Sequence, residues 1–163
     1  MMQIWRQTAF LLMVVMVSFT SCNVSHAAVL SITQLRDIVL GEVATSTDRL
    51  LYRVRACVNM TPAGPFQLTA FGDGPTGSFS LGNGVDDIYA VRYRVSVGNR
   101  PRRGLQTLAP GVPATGLFAR QPRPNQRCRP PFTFIVVEIV REDLGRVPSG
   151  RYTGRLQLMV APE

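Results

Sequence analysis

Lysine is absent from this chain of 163 residues, and histidine and tryptophan occur once each, as His26 and Trp5. Both lie in a leader expected to be cut away. What remains has no imidazole and no side-chain amine, so the commonest general base, the usual serine-activating partner and the Schiff-base nucleophile are all missing. Metal chemistry is starved in the same way, since no His remains and no EF-hand spacing is present. Cysteine is scarce as well, with Cys22, Cys57 and Cys128 and no CxxC motif. Helical periodicity is missing from the whole chain after the leader. These absences point away from an enzyme, a metal site or a cofactor site and toward a chain that works through its surface.

The leader is legible residue by residue. Residues 1–8 carry a positive charge at Arg6, residues 9–19 form an apolar stretch rich in Leu, Val and Met, and Ser25-His26-Ala27 supplies small residues where a signal peptidase cuts. Cleavage after Ala27 is expected, leaving residues 28–163 as a single domain. The apolar stretch is about half the roughly 20 residues a bilayer-spanning helix needs, so it reads as a signal helix for export through the inner membrane and not as a permanent anchor. A rival cut lies at Phe19-Thr20-Ser21-Cys22, which loosely matches a lipoprotein box and would tether the chain by lipid at Cys22. Under either cut Cys57 and Cys128 are the thiols left to pair. Outside the cytoplasm they favour a disulfide. Closing about 70 residues would stabilise the domain by roughly 3–4 kcal/mol in the chain-entropy model.

The rest of the chain reads as strands. Residues 50–58 alternate, with Tyr52, Val54, Ala56 and Val58 on one face and Arg53, Arg55 and Cys57 on the other. Residues 88–97 repeat the pattern, with Tyr89, Val91, Tyr93, Val95 and Val97 in phase. Shorter strands are expected at 66–71 and 78–81, separated by the turn Gly72-Asp73-Gly74-Pro75. Residues 132–141 are apolar and β-branched, as befits a central strand covered on both faces. Residues 152–160 place Tyr152, Leu156, Leu158 and Val160 in phase, and a single helical turn is expected near 142–144. Short strands between Gly, Pro, Asn and Asp clusters define an all-β fold, an antiparallel β-sandwich.

The formal net charge is +8, and all of the basic charge is arginine. Such an excess favours anionic partners, a surface glycan or a lipid phosphate. Its densest part is the segment 98–131, which carries seven prolines together with Arg100, Arg102, Arg103, Arg120, Arg123, Arg127 and Arg129. That run is too interrupted for a central strand; residues 117–119 are expected to add a short edge strand. The arginines are the candidate anion-binding residues, because a guanidinium matches phosphate and carboxylate in bidentate fashion. A plain solvated connection is the alternative. Specific nucleic-acid binding is not expected from aromatics that sit mostly in strand alternation.

Several of these stretches resemble the spore coat protein U domain. The likeness rests on Cys57-Val58, on Pro65-Phe66-Gln67-Leu68-Thr69-Ala70 with Gly72, on Phe79-Ser80-Leu81 and Tyr89-Ala90-Val91, on Cys128, and on the ending Gly150-Arg151-Tyr152-Thr153-Gly154-Arg155-Leu156-Gln157-Leu158. That family includes subunits of archaic, Csu-type chaperone–usher pili. The resemblance implies an immunoglobulin-like sandwich lacking its last strand, whose groove is filled by a chaperone strand and then by a neighbour's N-terminal extension. It also implies a periplasmic chaperone, an usher and other fibre subunits as partners, and a periplasmic, cell-surface or fimbrial location. The sequence closes on Pro162-Glu163 just after the Leu156, Leu158, Val160 strand, in line with an open groove. The donor half fits less well, because only residues 28–37 precede the family's early strand at Ile38-Val39-Leu40-Gly41, and Gln34 interrupts the apolar series of Leu30 and Ile32. Two readings follow: a terminal subunit that accepts a strand without donating one, or a stand-alone module in which residues 29–35 fold back to complete their own sheet.

The carboxylates complete the survey. Asp86-Asp87 and Glu142-Asp143 are sequence neighbours, which strands point to opposite faces and turns leave solvated. Asp37, Glu42 and Glu138 are the residues a glycosidase reading would use. Glu138, inside an apolar strand, is expected to have an arginine partner.

Overall fold

The alternation read at 50–58 extends over a long strand, β2 (Arg49–Thr61), flanked on one side by β1 (Val29–Thr33) and on the other by β9 (Thr133–Val140). These elements are seen in a computed structural model that describes residues 28–38, 49–84, 89–123, 128 and 130–163. The remaining strands are β3 (Gly64–Phe71), β4 (Ser80–Gly82), β5 (Ala90–Arg92), β6 (Arg94–Gly98), β7 (Gln106–Thr107), β8 (Ala114–Ala119) and β10 (Gln157–Pro162). One helical turn, α1 (Arg141–Leu144), follows β9.

Two layers form the sandwich. A five-stranded sheet runs β1-β2-β9-β6-β7 and a three-stranded sheet runs β10-β3-β8, with β4 and β5 paired as a separate ribbon. All of these strand pairings are antiparallel. The core lies between the layers. Ala56 and Val58 of β2, Ile135, Val137 and Ile139 of β9, and Val95 and Val97 of β6 meet Phe66, Leu68 and Ala70 of β3 and Leu117 of β8. Fully burying one such side chain is worth about 1.5–3 kcal/mol, so this double layer of alternating residues is the main source of stability.

β9 is central, as its composition demands, lying between β2 and β6. Its two faces differ, however. Ile135, Val137 and Ile139 face the core, whereas Phe134 and Glu138, on the outer face, are only half-buried. Glu138 stands opposite Leu51 on β2 and Arg94 on β6, and its ion pair is with Arg49, 3.6 Å away.

Residues 88–97 depart from expectation in two respects: Tyr89, expected in phase with the buried face, precedes β5 and is exposed, and the run does not stay in one sheet. Val91, Tyr93, Val95 and Val97 are buried in phase, but the run is split at Tyr93 into β5 and β6, which belong to different sheets. The Tyr93 N–H donates to the Phe79 carbonyl at 3.0 Å, and the two rings stack with centroids 5.7 Å apart. Periodicity reports which face is buried and carries no information about which strand lies alongside. The 98–131 segment likewise holds more structure than the single short strand expected. β7 and the six-residue β8 both form there, and both are edge strands.

Cys57 and Cys128 form the disulfide, with Cα atoms 5.7 Å apart across a sequence separation of 71. The leader with Cys22, the early-strand residues Val39-Leu40-Gly41, and Glu42, Asp86, Asp87, Arg127 and Arg129 lie outside the described residues.

Candidate functional site

β1 and β10 lie along the same side of the sandwich, one in each sheet, with Cα atoms within 8 Å of each other. Each pairs with a strand on one side only, β1 with β2 and β10 with β3, and among the described residues no strand pairs with the second edge of either. β1 covers one half of this side. Leu30 and Ile32 turn inward and pack on the core, in register with Met60 and Val58 of β2. The strand ends at Gln34, whose φ of 63° is a left-handed conformation that a β-strand does not continue through. The polar interruption seen in the sequence is therefore also the backbone break.

Beyond Gln34 the two sheets part to leave a groove of about 430 Å³. Residues Leu35 to Ile38 form one wall and Leu156 and Leu158 the other; Val54, Ile135, Val137 and Ile139 form the floor. Leu156, Leu158 and Val160 are half-buried where the equivalent inward residues of β3, Phe66, Leu68 and Ala70, are fully covered. Two features of this wall are typical of an edge that takes a further strand: backbone groups of β10 without a partner strand, and apolar side chains at every second position beneath them.

The approach to β10 is held by four contacts. The Tyr152 hydroxyl donates to the Pro148 carbonyl at 2.9 Å. Thr153 exchanges backbone hydrogen bonds with Gly82 at 2.8 and 2.9 Å. The Arg155 N–H donates to the Asp73 carboxylate at 2.7 Å. Gly154 passes so close to the ribbon that a Cβ there would lie 2.8 Å from Leu81 Cδ2 and 2.9 Å from the Ser80 carbonyl. Asp73 also acts on Tyr93, which lines the groove. Burial first, and the Asp73 charge second, push this phenol up to about 12, so the groove floor carries a neutral hydroxyl across the ordinary pH range.

Sequence reasoning missed Asp73 and the Tyr152 bond. Tyr152 was legible as a core-facing residue, and Pro148 four residues earlier was the available signal for a tyrosine whose hydroxyl turns back on its own chain. Asp73 sat in a segment read only as a turn, and its partner is 82 residues away. No local pattern announces such a bond.

The candidate anion-binding arginines are elsewhere. Arg100, Arg102 and Arg103 are exposed in the β6–β7 turn, and Arg120 and Arg123 are exposed just after β8. Arg120 and Arg123 share a shallow hollow with Phe118, and none of the five lines the groove. Asp37 lies in the groove wall, while Glu142 and Asp143 belong to α1. Among the described residues no group of three or more His, Cys, Asp or Glu side chains is placed to hold a metal ion, and no helix is long and apolar enough to cross a membrane.

The arrangement defines an immunoglobulin-like all-β sandwich. Strands β1, β2, β9 and β6 take the places of A, B, E and D in one sheet, and β3 and β10 those of C and F in the other. The Tyr152–Pro148 bond at the corner before β10 is the tyrosine corner found before strand F, which fixes this assignment independently of strand order. The neighbour of F in such a fold is strand G, and the free edge of β10 is its place. The chain is similar to a chain in a solved structure of a chaperone–tip adhesin complex of CFA/I fimbriae, at 15% sequence identity and a TM-score of 0.58. The match covers 82% of this chain and 42% of that one, so the present chain spans less than half of its length. This likeness concerns the fold. No family model matches the chain, and no curated protein matches it.

Proposed function

We propose that this protein is a non-catalytic, exported subunit or minor component of a surface fibre, and that it accepts a donor strand along the free edge of β10. The observation that carries the reading is the G-strand place beside β10, which no strand among the described residues takes, with Leu156 and Leu158 half-buried above a floor of Val54, Ile135, Val137 and Ile139. The occupant would be an extended segment with apolar residues at alternate positions, held by main-chain hydrogen bonds to β10 and seated by its side chains in the groove. A periplasmic chaperone would supply it first and a neighbouring subunit afterwards. The resemblance to the spore coat protein U domain and the fold shared with a chain of the fimbrial chaperone–adhesin complex support this reading.

The segment 29–33 bears on which kind of subunit. It is spent on the chain's own five-stranded sheet, pairing with β2 from Val29↔Thr61 to Thr33↔Cys57. That favours a terminal position, at which the chain accepts a strand and does not donate one. The same observation favours a second reading, a stand-alone secreted or periplasmic binding module that needs no partner to fold.

Co-expression separates them. With a periplasmic chaperone of the fibre class, the subunit reading expects recovery of a stable one-to-one complex and aggregation or low yield without it. A chain that is soluble, monomeric and cooperatively folded alone, with no gain from the chaperone, would leave the stand-alone module.

A further inference from the structure

The charges of this molecule are segregated. From Ile88 to Val137 the sequence contains arginines and no acidic residue at all. The structure concentrates part of that stretch at the end of the sandwich where β2 turns into β3. Arg120 and Arg123, with Phe118, Ala63 and Pro122, line a concave hollow of about 560 Å³ there. Phe118 and Arg120 are two residues apart and so project from the same face, opposite to the buried Leu117 and Ala119. Phe118 remains 43% exposed, an unusual state for a large aromatic side chain.

The hollow is also braced. The Asn99 side chain clamps the Phe118 backbone, accepting from its N–H at 3.1 Å and donating to its carbonyl at 3.4 Å. The Arg120 carbonyl accepts from the Met60 N–H at 3.1 Å. Asn99 opens the turn that carries Arg100, Arg102 and Arg103, so the clamp ties that second arginine group to the rim of the hollow. One acid lies along the same strand: Glu163 Oε1 accepts from the Gly116 N–H at 2.6 Å, on the far side of Phe118 from Arg120 in the sequence of β8.

We infer that this hollow binds an acidic polysaccharide, with the ring of a uronic acid against Phe118 and its carboxylate on Arg120 and Arg123. A concave site with an apolar wall and a few convergent polar groups suits a ring-sized ligand. Guanidinium groups take carboxylates in bidentate fashion, and the aromatic face takes the C–H face of a pyranose ring. Single-stranded nucleic acid is disfavoured because Phe118 offers one stacking surface where such sites use successive aromatics. The inference goes beyond strand acceptance and holds whether the chain is a fibre subunit or stands alone.

The test is binding of polygalacturonate fragments to the full chain after export, with neutral dextran, phosphatidylglycerol vesicles and single-stranded DNA as competitors. Binding that weakens with salt and is not competed by dextran, vesicles or DNA at equal charge is expected. The pair Arg120→Ala with Arg123→Ala should weaken it about tenfold or more, the scale of one lost charge-assisted contact. Phe118→Leu, which keeps apolar bulk and removes the ring, should weaken it several-fold with an unchanged melting temperature. The charge-matched pair Arg146→Ala with Arg151→Ala, on exposed residues outside the hollow, should leave it unchanged. Equal loss from both arginine pairs would reduce the effect to net charge and overturn the inference. So would an unaffected Phe118→Leu variant, or preferential binding of vesicles or DNA.

Discussion

Two edges of this sandwich lie side by side and end differently. β1 lays the half-buried Leu30 and Ile32 over the rim of the five-stranded sheet, and at the rim of the other Leu156, just before β10, and Leu158 and Val160 on it are half-buried beside an open groove. Both edges carry the same alternation of apolar residues. The difference lies in what flanks them: β1 is paired with β2 from Val29 to Thr33 and does not line the groove, whereas Leu156 and Leu158 line it opposite Leu35 to Ile38. An edge that is alternately apolar and left unpaired invites pairing with another chain, and proteins ordinarily blunt such edges with charge or proline. On β10 that protection is slight, since Pro162 stands only at its far end and Met159, at mid-strand, is 62% exposed.

The contrast can be broken most forcefully at the disulfide, which anchors β2, the strand that β1 completes. Replacing Cys57 and Cys128 together by Ala should lower unfolding stability by about 3–4 kcal/mol in denaturant titrations. Next in size is a matched pair of charges placed on the two edges. Ile32→Asp, on the half-buried inward face of β1, should cost about 2 kcal/mol, the scale of a polar group set against the core without a partner. Leu158→Asp, equally half-buried but in the groove wall, should cost a similar amount in the same titration and in addition abolish capture of a donor-strand peptide, which Ile32→Asp should leave intact. Equal loss of peptide capture in both variants would mean that the two edges do not differ, and the contrast would fail.

Tyr152→Phe sharpens the comparison at the corner that delivers β10. Losing the bond to the Pro148 carbonyl should cost about 1 kcal/mol and speed amide exchange in residues 153–157 more than in β1. The smallest effect concerns pH. Folding holds the proton on Tyr93 more tightly than the unfolded chain does, with the phenol raised to about 12 from 10.0. Between those values the unfolded state sheds a proton that the folded state keeps, so stability should fall as pH rises through that window. Asp73→Asn, which removes the second cause of the shift, should move the upper end of the window down.

Much of this was legible in the sequence for a physical reason. Alternation names the buried face, so Val54, Ala56 and Val58, the β9 core residues and the phase of Leu156, Leu158 and Val160 could be read directly. The arginine partner of Glu138 was foreseeable because an apolar strand does not bury a lone carboxylate. Partnership between distant segments was less legible. The switch of sheets at Tyr93, the bond from Arg155 to Asp73 and the lengthening of β8 to Ala114–Ala119 all depend on what lies alongside in space. Periodicity carries nothing about that. The groove itself belongs to this second kind, since it arises where β1 stops and β10 does not.

Amide hydrogen exchange along β10, with and without a peptide of alternating apolar residues, tests the strand-accepting edge most directly. The account predicts that alternate amides of residues 157–161 exchange far faster than those of the central β9 in the isolated chain, and become protected when the peptide binds while a scrambled peptide leaves them unchanged. Amides of β10 as protected as those of β9 before any peptide is added, and unaltered by it, would contradict the claim that this edge is open to another strand.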